Sequence, residues 1–197
     1  MLRRWLLCAV LAASTAAGAL ASENSDRAQL ALWRQVSFPL DNFTRISSHF
    51  GWRGSPTGGR RGEFHSGLDM PAPTGSYIRA WADGQVSDLS YDSRCGWHIV
   101  VVSGDWKSVF CHLSGVAVQQ GQNVQAGQIV AAVGSTGRST GPHLHWTLRY
   151  QGKLVNPELV IQAMALAWQG GAVPTVAPAA DVPVEAQQDA VPGEQEP

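Results

Sequence analysis

Short β-type runs with a glycine at almost every corner are the feature that most limits what this chain can fold into. Between Arg45 and Pro157 these runs occupy residues 77–81, 85–90, 98–103, 107–113, 129–133 and 143–149. Runs this short, joined by turns, favour an all-β fold over a βαβ fold. The sequence therefore predicts a mostly antiparallel sheet or barrel-like sandwich, with short helices at its N- and C-terminal edges.

The last of these runs alternates between apolar and polar residues. Leu144, Trp146 and Leu148 share one face of a strand and predict a core face, whereas His143 and His145 lie on the other. Side chains two residues apart on a strand are roughly 7 Å apart. Two imidazoles at this spacing can address one metal ion or its water, so the histidine face is a candidate site.

A second polar pair, His65 and Asp69, precedes the strands. The nearby Gly67 and Pro71 argue against a helix, and on a straight strand the two residues would lie roughly 13 Å apart. The backbone must therefore bend at residues 66–67 if the pair is to share a ligand. An imidazole and a carboxylate brought together in this way suit Zn²⁺.

These residues predict one metal centre with additional histidines beside it. His65, Asp69 and one of the pair His143 and His145 would hold the metal, while His112 and the other histidine stay unligated. Three protein ligands with an open fourth position are typical of a catalytic zinc site. The unligated imidazoles can take a proton from water and stabilise an oxyanion.

The N-terminal residues 1–21 have the layout of a secretory signal peptide: two arginines, an apolar run and a small-residue end. The run is too short for a transmembrane span. We therefore expect no transmembrane span in the mature chain and a secreted or periplasmic location.

In an oxidising compartment, Cys95 and Cys111 are expected to form a disulfide. If residues 103–108 form a hairpin turn with Gly104 opposite Lys107, Cys111 lies opposite Val100 and not opposite Cys95. For the disulfide to form, either the 93–96 loop must bring Cys95 back to Cys111, or the register must carry a bulge.

The remaining segments flank a domain expected at residues 45–161. Residues 22–44 form an N-terminal wrapper whose helix is predicted over 24–35. Asn156 and Pro157 are typical of a helix start, and this helix should reach Trp168. Residues 162–197 hold the end of that helix and then an acidic tail rich in proline and alanine, which is predicted to be disordered.

Charge limits the class of partner. The tail contains five acids and no Lys or Arg, which leaves the rest of the secreted chain mildly basic. A duplex DNA binder needs a concentrated basic face, so no nucleic-acid partner is expected. An anionic polymer such as a cell wall is compatible with this distribution. The three arginines in the glycine-rich loop 51–62 either meet an anionic substrate or belong to a solvated loop.

Five segments together resemble the lysostaphin/LytM-type family of zinc endopeptidases, which cut cell-wall peptides. The similar segments, in register from Arg45 to Pro157, are 64–69, 80–84, 111–114, 134–137 and 142–145. The resemblance implies that one Zn²⁺ is held by His65, Asp69 and His145, and that His143 and His112 are catalytic. It also implies that the loops 51–62 and 134–142 form the walls of a narrow groove for peptidoglycan peptides, in a protein expected to be a monomer.

Two other functions compete with an active peptidase. A family member can act as a regulator that activates wall amidases, but such proteins usually lose ligand residues, and all five positions are present here. Residues 121–133 also resemble the hammerhead fold of biotinyl and lipoyl carriers. Those carriers need a lysine in a tight hairpin, and the only lysines are Lys107 and Lys153, so the carrier function is disfavoured.

Overall fold

The computed structural model describes Trp33 and residues 35–54, 62–171 and 173–189. Within these residues the chain forms twelve strands and two helices. The strands are β1 (Gly51–Arg53), β2 (Glu63–His65), β3 (Leu68–Pro71), β4 (Tyr77–Arg79), β5 (Gly84–Asp92), β6 (Gly96–Ser103), β7 (Trp106–Cys111), β8 (Leu113–Val116), β9 (Asn123–Val124), β10 (Ile129–Val133), β11 (His143–Tyr150) and β12 (Lys153–Val155). The helices are α1 (Pro157–Trp168) and α2 (Val184–Asp189). In this part of the chain no helix is long and apolar enough to cross a membrane.

The strands form one large sheet and two small ones, and every strand pairing is antiparallel. The large sheet has the order β12-β11-β7-β6-β5-β9, and β3 also pairs with β11. The small sheets are β4-β10-β8 and β1-β2. The predicted all-β, mostly antiparallel fold is confirmed, although the sheet does not close into a barrel.

Strand β11 organises the large sheet because both of its edges are paired. Strand β7 runs along one edge, while β3 and β12 share the other. Its apolar residues Leu144, Trp146 and Leu148 are fully buried, as the alternation predicts. Its two histidines consequently lie on the opposite face, between β3 and β7.

Four tryptophans fill the centre of the core. Trp33 packs against Trp81 and Trp106 with ring centroids 6.0 and 5.7 Å apart, and Trp81 lies 6.2 Å from Trp146. Aromatic rings at these separations add attraction to the burial of their large apolar surfaces. The predicted helix over 24–35 lies mostly outside the described residues, but Trp33 and Gln35 are helical. The signal peptide predicted over residues 1–21 lies entirely outside them.

Helix α1 begins and ends where the sequence predicts. The Asn156 side chain accepts a hydrogen bond from the Glu158 amide, Pro157 occupies the first turn, and the helix ends at Trp168. The helix docks on the core through its buried face, where the Trp81 indole donates to the Met164 sulfur.

The turn between β6 and β7 differs from the expected one. Ser103 lies opposite Trp106, so the turn has two residues, and Val100 lies opposite Val109 rather than Cys111. A two-residue turn with a positive φ at its first position matches the twist of the paired strands, and Gly104 supplies it with φ 60°. The predicted register was therefore wrong by two residues.

The C-terminal segment, which is predicted to be a disordered tail, contacts the sheet in the part that the structure describes. In residues 173–189, Val176 is buried, and the Ala179 amide donates to the Leu154 carbonyl at the exposed edge of β12. Helix α2 follows, and the Gln187 carbonyl accepts from the buried Arg149 guanidinium. These contacts place residues 173–189 against the edge strand β12.

Candidate metal centre

A sharp bend between β2 and β3 brings His65 and Asp69 together. The bend is at Gly67, where an added Cβ would lie 2.6 Å from the Trp146 carbonyl oxygen. Because only glycine fits here, the chain can turn back against β11. The His65 Nε2 then lies 3.1 Å from the Asp69 Oδ1, so the predicted bend is confirmed.

Sheet register adds His145 to this pair. His145 lies directly opposite Asp69 of β3 and opposite Cys111 of β7. Its Nδ1 is 2.7 Å from the Asp69 Oδ1 and 3.0 Å from the His65 Nε2. Ligand atoms around a tetrahedral zinc lie roughly 3.3 Å apart. The three donor atoms therefore fit a zinc ion in both chemistry and spacing, and His145, rather than His143, joins the cluster.

The other nitrogen of each candidate ligand histidine is also bonded. The His65 Nδ1 lies 2.8 Å from the carbonyl oxygen of His49, so it must carry the proton and leave Nε2 unprotonated. The His145 Nε2 lies 3.1 Å from the Thr147 hydroxyl. Such partners fix the ring orientation and tautomer of metal-binding histidines. Both rings are therefore held in an orientation that suits metal binding.

His112 and His143 face the same cleft from the other side. Their Nδ1 atoms donate to the carbonyls of Thr136 at 2.7 Å and Gly141 at 2.8 Å, which leaves each Nε2 unprotonated. Their ring centroids are 4.7 Å apart, and the His143 Nε2 is 3.6 Å from the Asp69 Oδ1. These two imidazoles can therefore accept protons beside the candidate metal position.

Burial and charge set the protonation of the cluster. Burial, together with the nearby His145 and His143, lowers the pKa of His112 to about 4. Burial likewise lowers the pKa of His145. Burial alone would raise the pKa of the Asp69 carboxyl, but its close contacts with the His145 and His65 imidazoles hold the pKa well below its usual range. At neutral pH the carboxylate is charged and His112 and His145 are neutral, which are the forms that bind metals and accept protons.

An arginine behind the cluster was not identified as part of the site from the sequence. Arg53 donates to the Asp69 Oδ2 at 3.1 Å and to Glu63 at 3.0 Å, and it also contacts the Ser48 hydroxyl. The other oxygen of Glu63 accepts from Arg138 at 3.1 Å. The hypothesis that Arg53 meets an anionic substrate is thus replaced by a structural role, since its guanidinium orients the Asp69 carboxylate. No local sequence pattern signals this contact, because the two residues are 16 positions apart.

Replacing Arg53 with glutamine is expected to weaken zinc binding about 10- to 100-fold, because partners that orient a ligand carboxylate typically contribute that much. Competition with a chromophoric chelator measures the change in zinc Kd. Arg79→Gln is the matched control, since Arg79 pairs with Asp41 away from the site. An unchanged Kd in the Arg53 variant would contradict the role given to this arginine.

The cluster lies in a cleft of about 430 Å³. Residues 137–140 of the glycine-rich loop 134–142 line the cleft together with residues 92–95, and residues 63–66 contribute as well. Of the loop 51–62, residues 55–61 lie outside the described part of the chain, and Arg53 reaches the cleft. In the part of the chain that the structure describes, residues 92–95 and 137–140 form walls of the groove that the resemblance implies.

The two remaining histidines lie outside the cluster. The His49 side chain is 69% exposed and contacts Glu158 at 3.1 Å. His98 is fully buried, and its ring contacts the Gly96 carbonyl and the Ser90 hydroxyl, both at 3.0 Å. Neither histidine supplies a donor atom to the cluster, and the contacts of both are structural.

Comparisons with known proteins give the same family as the motifs. The model of peptidase family M23 matches residues 63–157. The DD-carboxypeptidase/endopeptidase Mpg of Neisseria meningitidis is 40% identical over 116 residues, which are 58% of this chain and 26% of Mpg. The murein hydrolase activator NlpD of Salmonella typhimurium is 33% identical over 139 residues, which are 70% of this chain and 33% of NlpD. The chain thus spans about a quarter to a third of these relatives.

Solved structures add the fold. A zinc-containing peptidase from Vibrio cholerae has a TM-score of 0.58 and 32% identity, over 62% of this chain and 39% of that one. A variant of the catalytic domain of the prophage-encoded M23 protein EnpA from Enterococcus faecalis has a TM-score of 0.53 and 37% identity. That alignment covers 64% of this chain and 95% of the EnpA domain. The chain therefore belongs to peptidase family M23.

Proposed function

We propose that this protein is an exported zinc endopeptidase that hydrolyses peptide bonds in the stem or cross-link peptides of peptidoglycan. In this proposal His65, Asp69 and His145 bind the zinc, and His112 and His143 are the catalytic imidazoles. The observation that carries it is the convergence of three donor atoms within 2.7–3.1 Å of one another, with two further imidazoles facing the same cleft.

Held by these three residues, zinc would supply a Lewis acid for a peptide carbonyl and would lower the pKa of water, so that hydroxide is available at neutral pH. The chain's own groups handle the proton. The unprotonated Nε2 of His143 accepts the proton that the attacking water loses, and then donates it to the nitrogen of the leaving amine as the C–N bond breaks. His112, neutral and held by Thr136, presents a second Nε2 beside the reacting carbonyl.

The substrate class is supported by the family and by the form of the cleft. Mpg is a DD-carboxypeptidase/endopeptidase, and the name of NlpD describes an activator of murein hydrolases. A cleft walled by residues 92–95 and 137–140 suits a thin peptide. The predicted signal peptide fits a substrate outside the cytoplasm. The proposal also includes one Zn²⁺ per chain and a monomeric protein.

Incubation of the purified full chain with peptidoglycan tests the proposal. With zinc bound, we expect soluble muropeptide fragments whose masses identify a hydrolysed peptide bond, and a chelator should stop their release. Addition of zinc after chelator removal should restore it. Intact peptides at every zinc loading would contradict the proposed function.

The alternative is that the chain activates cell-wall amidases without cutting peptides itself. The similarity to NlpD favours testing this directly. The same incubation with an added wall amidase separates the two functions. An amidase cuts the link between the stem peptide and the glycan, so an activator increases the release of free stem peptides. It leaves every peptide bond within them intact. Stimulation of the amidase by a chain that cuts no peptide bond would favour the activator.

A further inference from the structure

The backbone of His112 adopts an unusual conformation at the edge of the cleft. His112 directly follows β7 and has a φ of 63°, in the left-handed region. Residues other than glycine adopt this conformation uncommonly, and surrounding contacts help to hold it. The contacts around His112 therefore decide where its imidazole points.

Two hydrogen bonds hold His112, and both partners lie outside regular strands. Its amide donates to the Cys95 carbonyl at 2.8 Å, and its Nδ1 donates to the Thr136 carbonyl at 2.7 Å. Cys95 lies in the turn between β5 and β6, and Thr136 lies in the glycine-rich loop. The position of His112 thus depends on how well these two loops are fixed.

Cys95 and Cys111 tie the turn to the strand that carries His112. Their Cα atoms are 5.0 Å apart and their sulfurs are paired. Both side chains are buried, in a small apolar cluster with Val100 and Val109. Because Cys111 immediately precedes His112, a covalent bond here fixes the Cys95 carbonyl beside the His112 amide.

The same turn also supports the Thr136 loop. The backbones of Gly96 and Gly137 pack so closely that a Cβ on Gly137 would lie 2.3 Å from the Gly96 nitrogen. The Trp97 amide donates to the Thr136 hydroxyl at 3.0 Å. Fixing the turn at Cys95 therefore stabilises both contacts of His112.

We propose that a disulfide between Cys95 and Cys111 positions the His112 imidazole, so that turnover depends on the oxidation of this pair while zinc binding does not. The turnover part rests on the proposed function. Zinc binding is spared because none of the three candidate ligands bonds to Cys95 or Thr136, and His145 is placed opposite Cys111 by the pairing of β11 with β7, which does not depend on the sulfur atoms. The disulfide acts through His112, which makes the cysteines positioning residues.

Reduction of the purified full chain with a phosphine tests the proposal. The phosphine supplies two electrons and takes an oxygen atom from water, the Sγ–Sγ bond breaks, and two thiols form. After removal of the reductant without oxygen, we expect two more titratable thiols per chain. Exchange of the His112 amide, followed by NMR, should become at least about tenfold faster, and kcat should fall at least about tenfold. Bound zinc should stay at one per chain.

Two variants complete the test. Cys111→Ala should reproduce the effect of reduction, whereas Val100→Ala removes apolar volume from the same cluster and should keep His112 protected and kcat unchanged. If Cys111→Ala does not fold, the reduced wild-type protein still decides the result. No additional thiols, unchanged exchange and kcat, or loss of zinc with reduction would each overturn the proposal. An oxidised chain that cuts no peptide contradicts the proposed function instead, and the exchange measurement still shows whether the disulfide holds His112.

Discussion

Replacing Asp69 with alanine is expected to remove bound zinc and all measurable peptide hydrolysis. The Oδ1 of this carboxylate is the atom that both His65 and His145 approach, at 3.1 and 2.7 Å. Its removal leaves two ligands, and the zinc affinity should fall by well over about 100-fold, the upper range for loss of a supporting partner alone. Metal analysis of the purified variant and peptidoglycan hydrolysis measure the two effects.

Asp105→Ala is the matched control for this substitution. Asp105 lies in the turn between β6 and β7, where it accepts from the Gln151 side chain. It is a carboxylate of the same size outside the cluster, so the control should keep zinc and activity. Full zinc occupancy in the Asp69 variant would exclude Asp69 as a ligand. His65→Ala and His145→Ala should lose zinc in the same way.

Replacing His143 or His112 with alanine is expected to give the opposite combination, with zinc retained and turnover lost. Neither imidazole supplies one of the three clustered donor atoms, but both face the cleft with an unprotonated Nε2. Loss of a positioned general acid or base typically lowers kcat by about 10²- to 10⁴-fold. Zinc stoichiometry and kcat, measured on the same preparations, separate the two roles.

His49→Ala is the control for the two histidine variants. Its side chain is exposed, and only its backbone carbonyl contacts His65, so the substitution leaves that hydrogen bond intact. Zinc and kcat should both be unchanged. Equal loss of zinc in the variants of all five site residues would refute the division into ligands and catalytic imidazoles.

Local patterns were sufficient for helix α1 and for the strands that match a predicted run, which are β4, β5, β6, β7, β10 and β11. The short strands β1, β2, β3, β9 and β12 lie outside the predicted runs. Alternation along 143–149 correctly separated the buried Leu144 from His145, because the two faces of a strand are fixed by its geometry. The cap at Asn156 was predicted for the same reason, since the bond it makes reaches only two residues along the chain. The turn at 104–105 was not, because a slip of two residues keeps every side chain on the same face and leaves the pattern plausible.

Contacts between distant segments could not be read from local pattern. Arg53 reaches Asp69 across a loop, and residues 173–189 fold back over β12, although their composition suggested a disordered tail. Such contacts depend on which surfaces the rest of the fold leaves open. The packing of Val176 and Ala186 is an example, since neither residue has a periodic pattern around it.

The sequence by itself determined the all-β fold, the bend at Gly67 and the five residues that its resemblance to a peptidase family singled out. By residue spacing alone, His143 and His145 were equivalent. Only the contacts in the tertiary structure distinguish the two histidines. The register of β11 against β3 places His145 directly opposite Asp69, whereas His143 is bonded to the Gly141 carbonyl beside His112. A metal centre requires donor atoms from separate strands to meet within a few ångströms, and strand pairing sets that distance.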